Sequence, residues 1–145
     1  MMLELNGDDL NIFSNFEKIT KIMPSDYLTT DNFMIFLVPP NQLGRAIGNK
    51  GANIEKLSTT FRKKVVVIAD NPDAEGFVRS FFGNIEIENI DVRNIMGEIN
   101  MIVTVSEKDR GIAIGRNGER VKAAKTLLKK KFNATISLKT RREMF

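Results

Sequence analysis

Between Asp9 and Thr20, Leu10, Phe13, Phe16 and Ile19 recur every third residue, and that period predicts a helix with one apolar stripe. Short apolar runs follow at Tyr27–Thr29 and Phe33–Val38, which read as strands. Helical spacing returns with Ile54, Leu57 and Phe61, and Val65–Ile68 reads as a closing strand. The same order then begins again. Asn71, Pro72 and Gly83 bracket a helix burying Phe77 and Phe81. Strands are expected at Ile85–Val92 and Ile99–Val105, joined by a turn around Asn94–Gly97. A helix with Val121, Ala124 and Leu128 facing inward and a last strand at Ala134–Leu138 complete the pattern. The apolar runs Phe33–Val38 and Phe81–Phe82 lie in elements that must fill two small cores, so they are expected in the interior, and Tyr27, the only tyrosine, is given no role.

The recurrence is visible residue by residue. LGRAIGNKGANIEKL at 43–57 aligns without a gap on RGIAIGRNGERVKAA at 110–124, at a constant offset of 67. Met34, Ile35 and Val38 meet Met101, Ile102 and Val105 at the same offset, so the repeat includes the strand before the glycine segment. Only after the second helix does the register slip, by about four residues, because that helix is one turn longer in the second copy. Two domains are expected, 1–70 and 71–145. A half of this size buries a modest share of its surface, and the link at 69–73 is short, so the halves are expected to pack rigidly together.

Composition narrows the chemistry. The 145 residues include no Cys and no His, which removes disulfides, thiolate zinc sites, cysteine nucleophiles and the commonest neutral-pH base. Carboxylates are scattered singly, with no cluster at metal spacing, so neither catalysis nor a metal or other cofactor is expected. There is no secretory leader pattern and no run of about 18 apolar residues, so a cytoplasmic protein without a membrane partner is expected. Net charge is +4, but it is unevenly placed: residues 41–64 hold six basic side chains and one acid, and residues 110–142 hold eleven and one. Two basic islands in an otherwise neutral to acidic chain suit a polyanionic ligand.

Within each island lies a tetrad, Gly48-Asn49-Lys50-Gly51 and Gly115-Arg116-Asn117-Gly118. Lacking Cβ, glycine lets the backbone turn tightly and approach a sugar-phosphate strand, and the N–H groups opening the next helix point at a phosphate. Lys50 and Arg116 add charge at the tip of each turn, Asn49 and Asn117 add hydrogen bonds, and Ile47, Ile54, Ile114 and Val121 supply apolar walls for bases. The spacing fits neither a P-loop, since Gly44 to Gly48 is one residue too short and Lys50 has no Ser or Thr after it, nor a dinucleotide fingerprint. No small-molecule substrate is therefore expected.

Ile-Gly-x-x-Gly-x-x-Ile resembles the signature of the KH domain, which clamps about four nucleotides of single-stranded nucleic acid across its GXXG loop. The element order resembles the type II form, implying an α+β fold of two tandem type II KH domains, each a small three-stranded sheet packed on helices. A-I-G-x-x-G in the first copy and D-R-G-I-A-I-G-R-N-G in the second resemble the archaeal NusA-like transcription factors. That resemblance covers nearly the whole chain and implies binding of single-stranded RNA, an effect on elongation, pausing or termination, and RNA polymerase as a possible partner. The bacterial relatives carry a polymerase-binding domain and an S1 domain before their KH pair, and this chain is expected to lack both. The residues implied in RNA contact are Ile47, Gly48–Gly51, Ile54, Ile114, Gly115–Gly118 and Val121, with Arg110 and Lys122 as supporting charge. A KH-fold scaffold, or a protein of ribosome assembly or RNA turnover, fits the same residues.

Overall fold

A computed structural model describes residues 7–141, which divide between Asp70 and Asn71 into two compact units. In the first, α1 (Gly7–Thr20) opens with Asp8 and Asp9, whose charges suit the positive end of the helix dipole. It closes at Thr20, a buried residue whose hydroxyl donates to the Phe16 carbonyl at 2.9 Å and accepts the Ile22 N–H at 3.1 Å. This fixes the turn into β1 (Asp26–Thr29) and β2 (Phe33–Val38), which pair antiparallel. The chain continues through α2 (Leu43–Ile47) and α3 (Ala52–Phe61) to β3 (Lys64–Ala69), which pairs parallel with β2. The sheet order is β1-β2-β3. All of β2 except Phe33 is buried, as its unbroken apolar run requires.

The core of this unit gathers Phe16, Ile22, Met34, Phe36, Val38, Ala46, Leu57, Val65 and Val67. Phe16 stacks on Phe36 with ring centroids 4.4 Å apart. Side chains of this size each contribute about 1.5–3 kcal/mol on burial. The α1 stripe is rotated from the simple threefold reading: Leu10 is exposed, while Ile12, Phe16 and Ile19 pack on the core. Tyr27 takes a structural place, edge-on to Phe13 at 5.6 Å with its hydroxyl donating to the Asp9 carboxylate.

The second unit repeats the plan. Its α4 (Ala74–Phe81) is capped by Asp73, which accepts the Gly76 N–H at 2.7 Å. Next come β4 (Ile87–Ile95) and β5 (Glu98–Ser106), an antiparallel pair joined through Met96 and Gly97. Both turn residues have positive φ, 52° and 83°, as a two-residue type I′ hairpin demands. Then follow α5 (Arg110–Ile114), α6 (Glu119–Phe132) and β6 (Ala134–Arg141), parallel to β5 in the order β4-β5-β6.

The slip seen in the sequence has a direct structural cause. Met34 pairs with Val65 and its counterpart Met101 with Ile136, separations of 31 and 35 residues. The difference is the difference in helix length, 10 residues in α3 against 14 in α6. Each unit is thus α-β-β-α-α-β with one three-stranded sheet, the type II KH arrangement expected from the sequence.

Candidate nucleic-acid interface

Both tetrads join a five-residue helix to a long one. After α2 the backbone passes through Gly48 at φ 81° and ψ 170°, makes one tight turn, and enters α3 from Gly51 at φ 74° and ψ 17°. After α5 it passes through Gly115 at 78° and 174° and enters α6 from Gly118 at 74° and 11°. In each turn the second glycine's N–H bonds to the first glycine's carbonyl at 3.1 Å. The third tetrad residue is left-handed in both copies, Lys50 at φ 55° and Asn117 at φ 56°. Asn tolerates that conformation better than Lys, so the second loop is the less strained.

The two glycines of a tetrad are required for different reasons. A Cβ on Gly48 would lie 2.9 Å from Asn53 Cγ and 3.0 Å from its backbone nitrogen, and one on Gly115 would lie 2.6 Å from Arg120 Cβ. The first glycine therefore lets the loop close on the following helix. A Cβ on Gly51 would meet nothing within 4 Å, and one on Gly118 only the end of Lys122 at 3.9 Å. Here the glycine serves the left-handed backbone and leaves open space above the loop, where another chain can come close.

One pair of residues that the sequence reading passed over holds this geometry. Asn53 donates from Nδ2 to the Arg45 carbonyl in α2 at 3.1 Å, and Arg120, 67 positions later, donates from Nη1 to the Ile112 carbonyl in α5 at the same distance. Arg120 reaches further, to the Phe81 carbonyl at 3.3 Å and to Asn84 Oδ1, with its guanidinium 5.3 Å above the Phe82 ring. Burial pushes its pKa down from the ordinary arginine value. The available signal was a polar residue five positions after each first glycine.

Asn49, Lys50, Arg116 and Asn117 are exposed, whereas Ile47, Ile54, Ile114 and Val121 are half-buried beside their loops. Ile47 and Ile54 also pack on the first core. The two cations do not occupy equivalent places: Lys50 is third in its tetrad and Arg116 second in the other. Lys122 lies beside Gly118, while Arg110 stands at the far end of α5 from the loop. Neither α3 nor α6 has a side-chain N-cap, so their opening N–H groups face the loop without one. Part of the second basic island is engaged within the protein, with Lys129 on Glu98 at 3.3 Å and Arg141 on Glu88 at 3.6 Å. Among the described residues there is no group of acids that could hold a metal ion and no helix long and apolar enough to cross a membrane.

Comparison with known proteins agrees with this geometry. The KH domain family matches at residues 14–97 and again at 79–144. The probable transcription termination protein NusA of Halobacterium salinarum is 29% identical over 92% of this chain and 95% of its own. That of Methanococcus vannielii is 30% identical over 86% of this chain and 72% of its own. The crystal structure of APE1850 superposes with a TM-score of 0.75 at 33% identity, covering 94% of this chain and all of the other. Two GXXG loops of matching backbone, two α-β-β-α-α-β units and these relatives place the chain in the KH domain family, as a tandem KH protein of the archaeal NusA-like group.

Proposed function

We propose that the chain binds single-stranded RNA across both glycine loops and through it modulates elongation and termination by RNA polymerase. The observation that carries the reading is the open space above Gly51 and Gly118, in front of helix N-termini that have no side-chain cap. Phosphates seated there would accept backbone N–H groups with a helix dipole behind them, while Lys50, Arg116 and Lys122 add charge. The half-buried Ile47, Ile54, Ile114 and Val121 offer apolar surface for the bases, and Arg110 adds charge from the start of α5. In this reading the protein is a binding factor, and its ligand is a nucleic acid rather than a metabolite. The transcriptional part follows the names of the relatives from Halobacterium and Methanococcus.

The test is fluorescence anisotropy with a labelled single-stranded RNA of about a dozen nucleotides, long enough for two four-nucleotide clamps. Wild type is compared with a variant carrying Asp at positions 49, 50, 116 and 117. Binding that disappears in a folded variant supports the site, and equal binding by both proteins overturns it. Copurification with RNA polymerase supports the transcriptional role, whereas recovery with ribosomal subunits alone refutes it.

A further inference from the structure

The hairpin of the second unit is longer than that of the first. In the first unit the antiparallel pairing ends at Thr29 opposite Met34. In the second, Met101 is opposite Val92, and pairing continues through Arg93–Asn100 and Asn94–Ile99 to Ile95–Glu98. β4 is therefore a nine-residue edge strand, and Val92, Ile95 and Met96 stand exposed on it and its turn. Val92 lies on the same face as its partner Met101, which is 1% exposed, yet Val92 itself is 46% exposed, and among the described residues no strand lies beyond it. Such an edge invites another strand.

The two-residue turn fixes which peptide groups look outward. Ile95 and Glu98 form the hydrogen-bonded pair that closes the hairpin, so Arg93 and Asp91 also direct their N–H and C=O groups to β5. Val92, Asn94 and Ile90 direct theirs away from it. An antiparallel partner can therefore pair only even-numbered residues with outward-facing positions of its own. Around Val92 the strand reads Ile90-Asp91-Val92-Arg93-Asn94, with opposite charges flanking the centre. In a two-fold arrangement centred there, Val92 meets Val92 of the other copy, and Asp91 and Arg93 meet Arg93 and Asp91. These two side chains lie on one face and now pair along the strand at 3.2 Å, so the exchange between copies preserves each partner. Centring on Ile90 or Asn94 loses the charge match. The other edge, β6, carries Lys139 and Arg141 with no acid, and self-pairing there opposes like charges.

We propose that a second copy of this chain docks on β4, the two strands pairing antiparallel about Val92 to join two three-stranded sheets into one. The contact is small, so the dimer is weak and concentration-dependent. It is independent of the RNA-binding reading.

Sedimentation equilibrium of the full chain, up to about 1 mM, tests it in the range where interfaces below standard size associate. Wild type is expected to dimerise, Asp91→Arg and Arg93→Asp each to weaken the dimer about tenfold, and the double exchange to restore it. Val92→Pro removes only an outward N–H, and should leave the fold intact and the protein monomeric. A wild type that stays monomeric, a dimer indifferent to the single reversals, or a double exchange without recovery would overturn the proposal. Should Val92→Pro fail to fold, the charge exchange still decides it.

Discussion

Asn53 and Arg120 occupy the same place in successive repeats, and each ties the helix after its glycine loop to a carbonyl of the helix before it at 3.1 Å. Arg120 also anchors that loop to the end of α4 through the Phe81 carbonyl and to the α4–β4 connection through Asn84. Arg120→Ala is expected to cost about 2 kcal/mol and Asn53→Ala about 1 kcal/mol, from the ordinary worth of charged and neutral hydrogen bonds. Arg120→Lys should not rescue the loss, since an ammonium cannot reach several acceptors with a planar fork. Urea unfolding measures both, and equal losses at the two positions would deny the extra anchoring.

The tetrad glycines should separate by kind of defect. Gly48→Ala and Gly115→Ala meet both a positive φ and a neighbour closer than 3.1 Å, and should destabilise by more than about 2 kcal/mol. Gly51→Ala and Gly118→Ala meet only the left-handed backbone, at about 1 kcal/mol. They should remain folded yet bind RNA several-fold more weakly, because the methyl group fills the approach space. Thermal melts alongside anisotropy distinguish the two classes.

Charge should act unequally across the loops. The second island is the more basic, and Arg116 is exposed within it, so Arg116→Asp should weaken RNA binding more than Lys50→Asp does. Two loops contacting roughly four to six phosphates predict a slope of log K against log salt of about −3 to −4, and loss of one contact should flatten it by about 0.7. Equal effects of the two reversals would argue against this division.

Tyr27 makes the first unit sensitive to alkali. Its hydrogen bond to Asp9, then burial, raise the phenol from 10.0 to about 12. The protonated phenol is the form the fold holds, so its contribution is complete below pH 10 and is lost as pH rises through about 12. Tyr27→Phe should be less stable at neutral pH and show a shallower decline between those values. A denaturation series across that window reads the difference, and parallel curves would rule the link out.

Much of this was written in the chain because repetition doubles every signal. The tetrads, Met34 against Met101, and the four-residue slip are legible without coordinates, since alignment of a sequence on itself exposes positions that geometry holds constant. Leu10 misled because a threefold count drifts from the 3.6-residue period, and the buried stripe runs through Ile12, Phe16 and Ile19 instead. Asn53 and Arg120 escaped because their common task, a side-chain N–H for a helix-end carbonyl, is met by chemically different residues. The tip charge is likewise carried by different residues one position apart, Lys50 third in its tetrad and Arg116 second in the other.

The extra turn of α6 also says where this module can change length. Four added residues advance a helix by one turn plus about 40°, so its inward stripe stays on the sheet and the following strand enters in nearly the same direction. The growth falls after the glycine loop and before the last strand, leaving both loops with backbone angles within a few degrees of each other. Deleting one turn from the C-terminal half of α6 should thus shorten the second unit without disturbing its loop. Removing one or two residues would instead rotate the helix end by about 100° or 200° and misdirect β6.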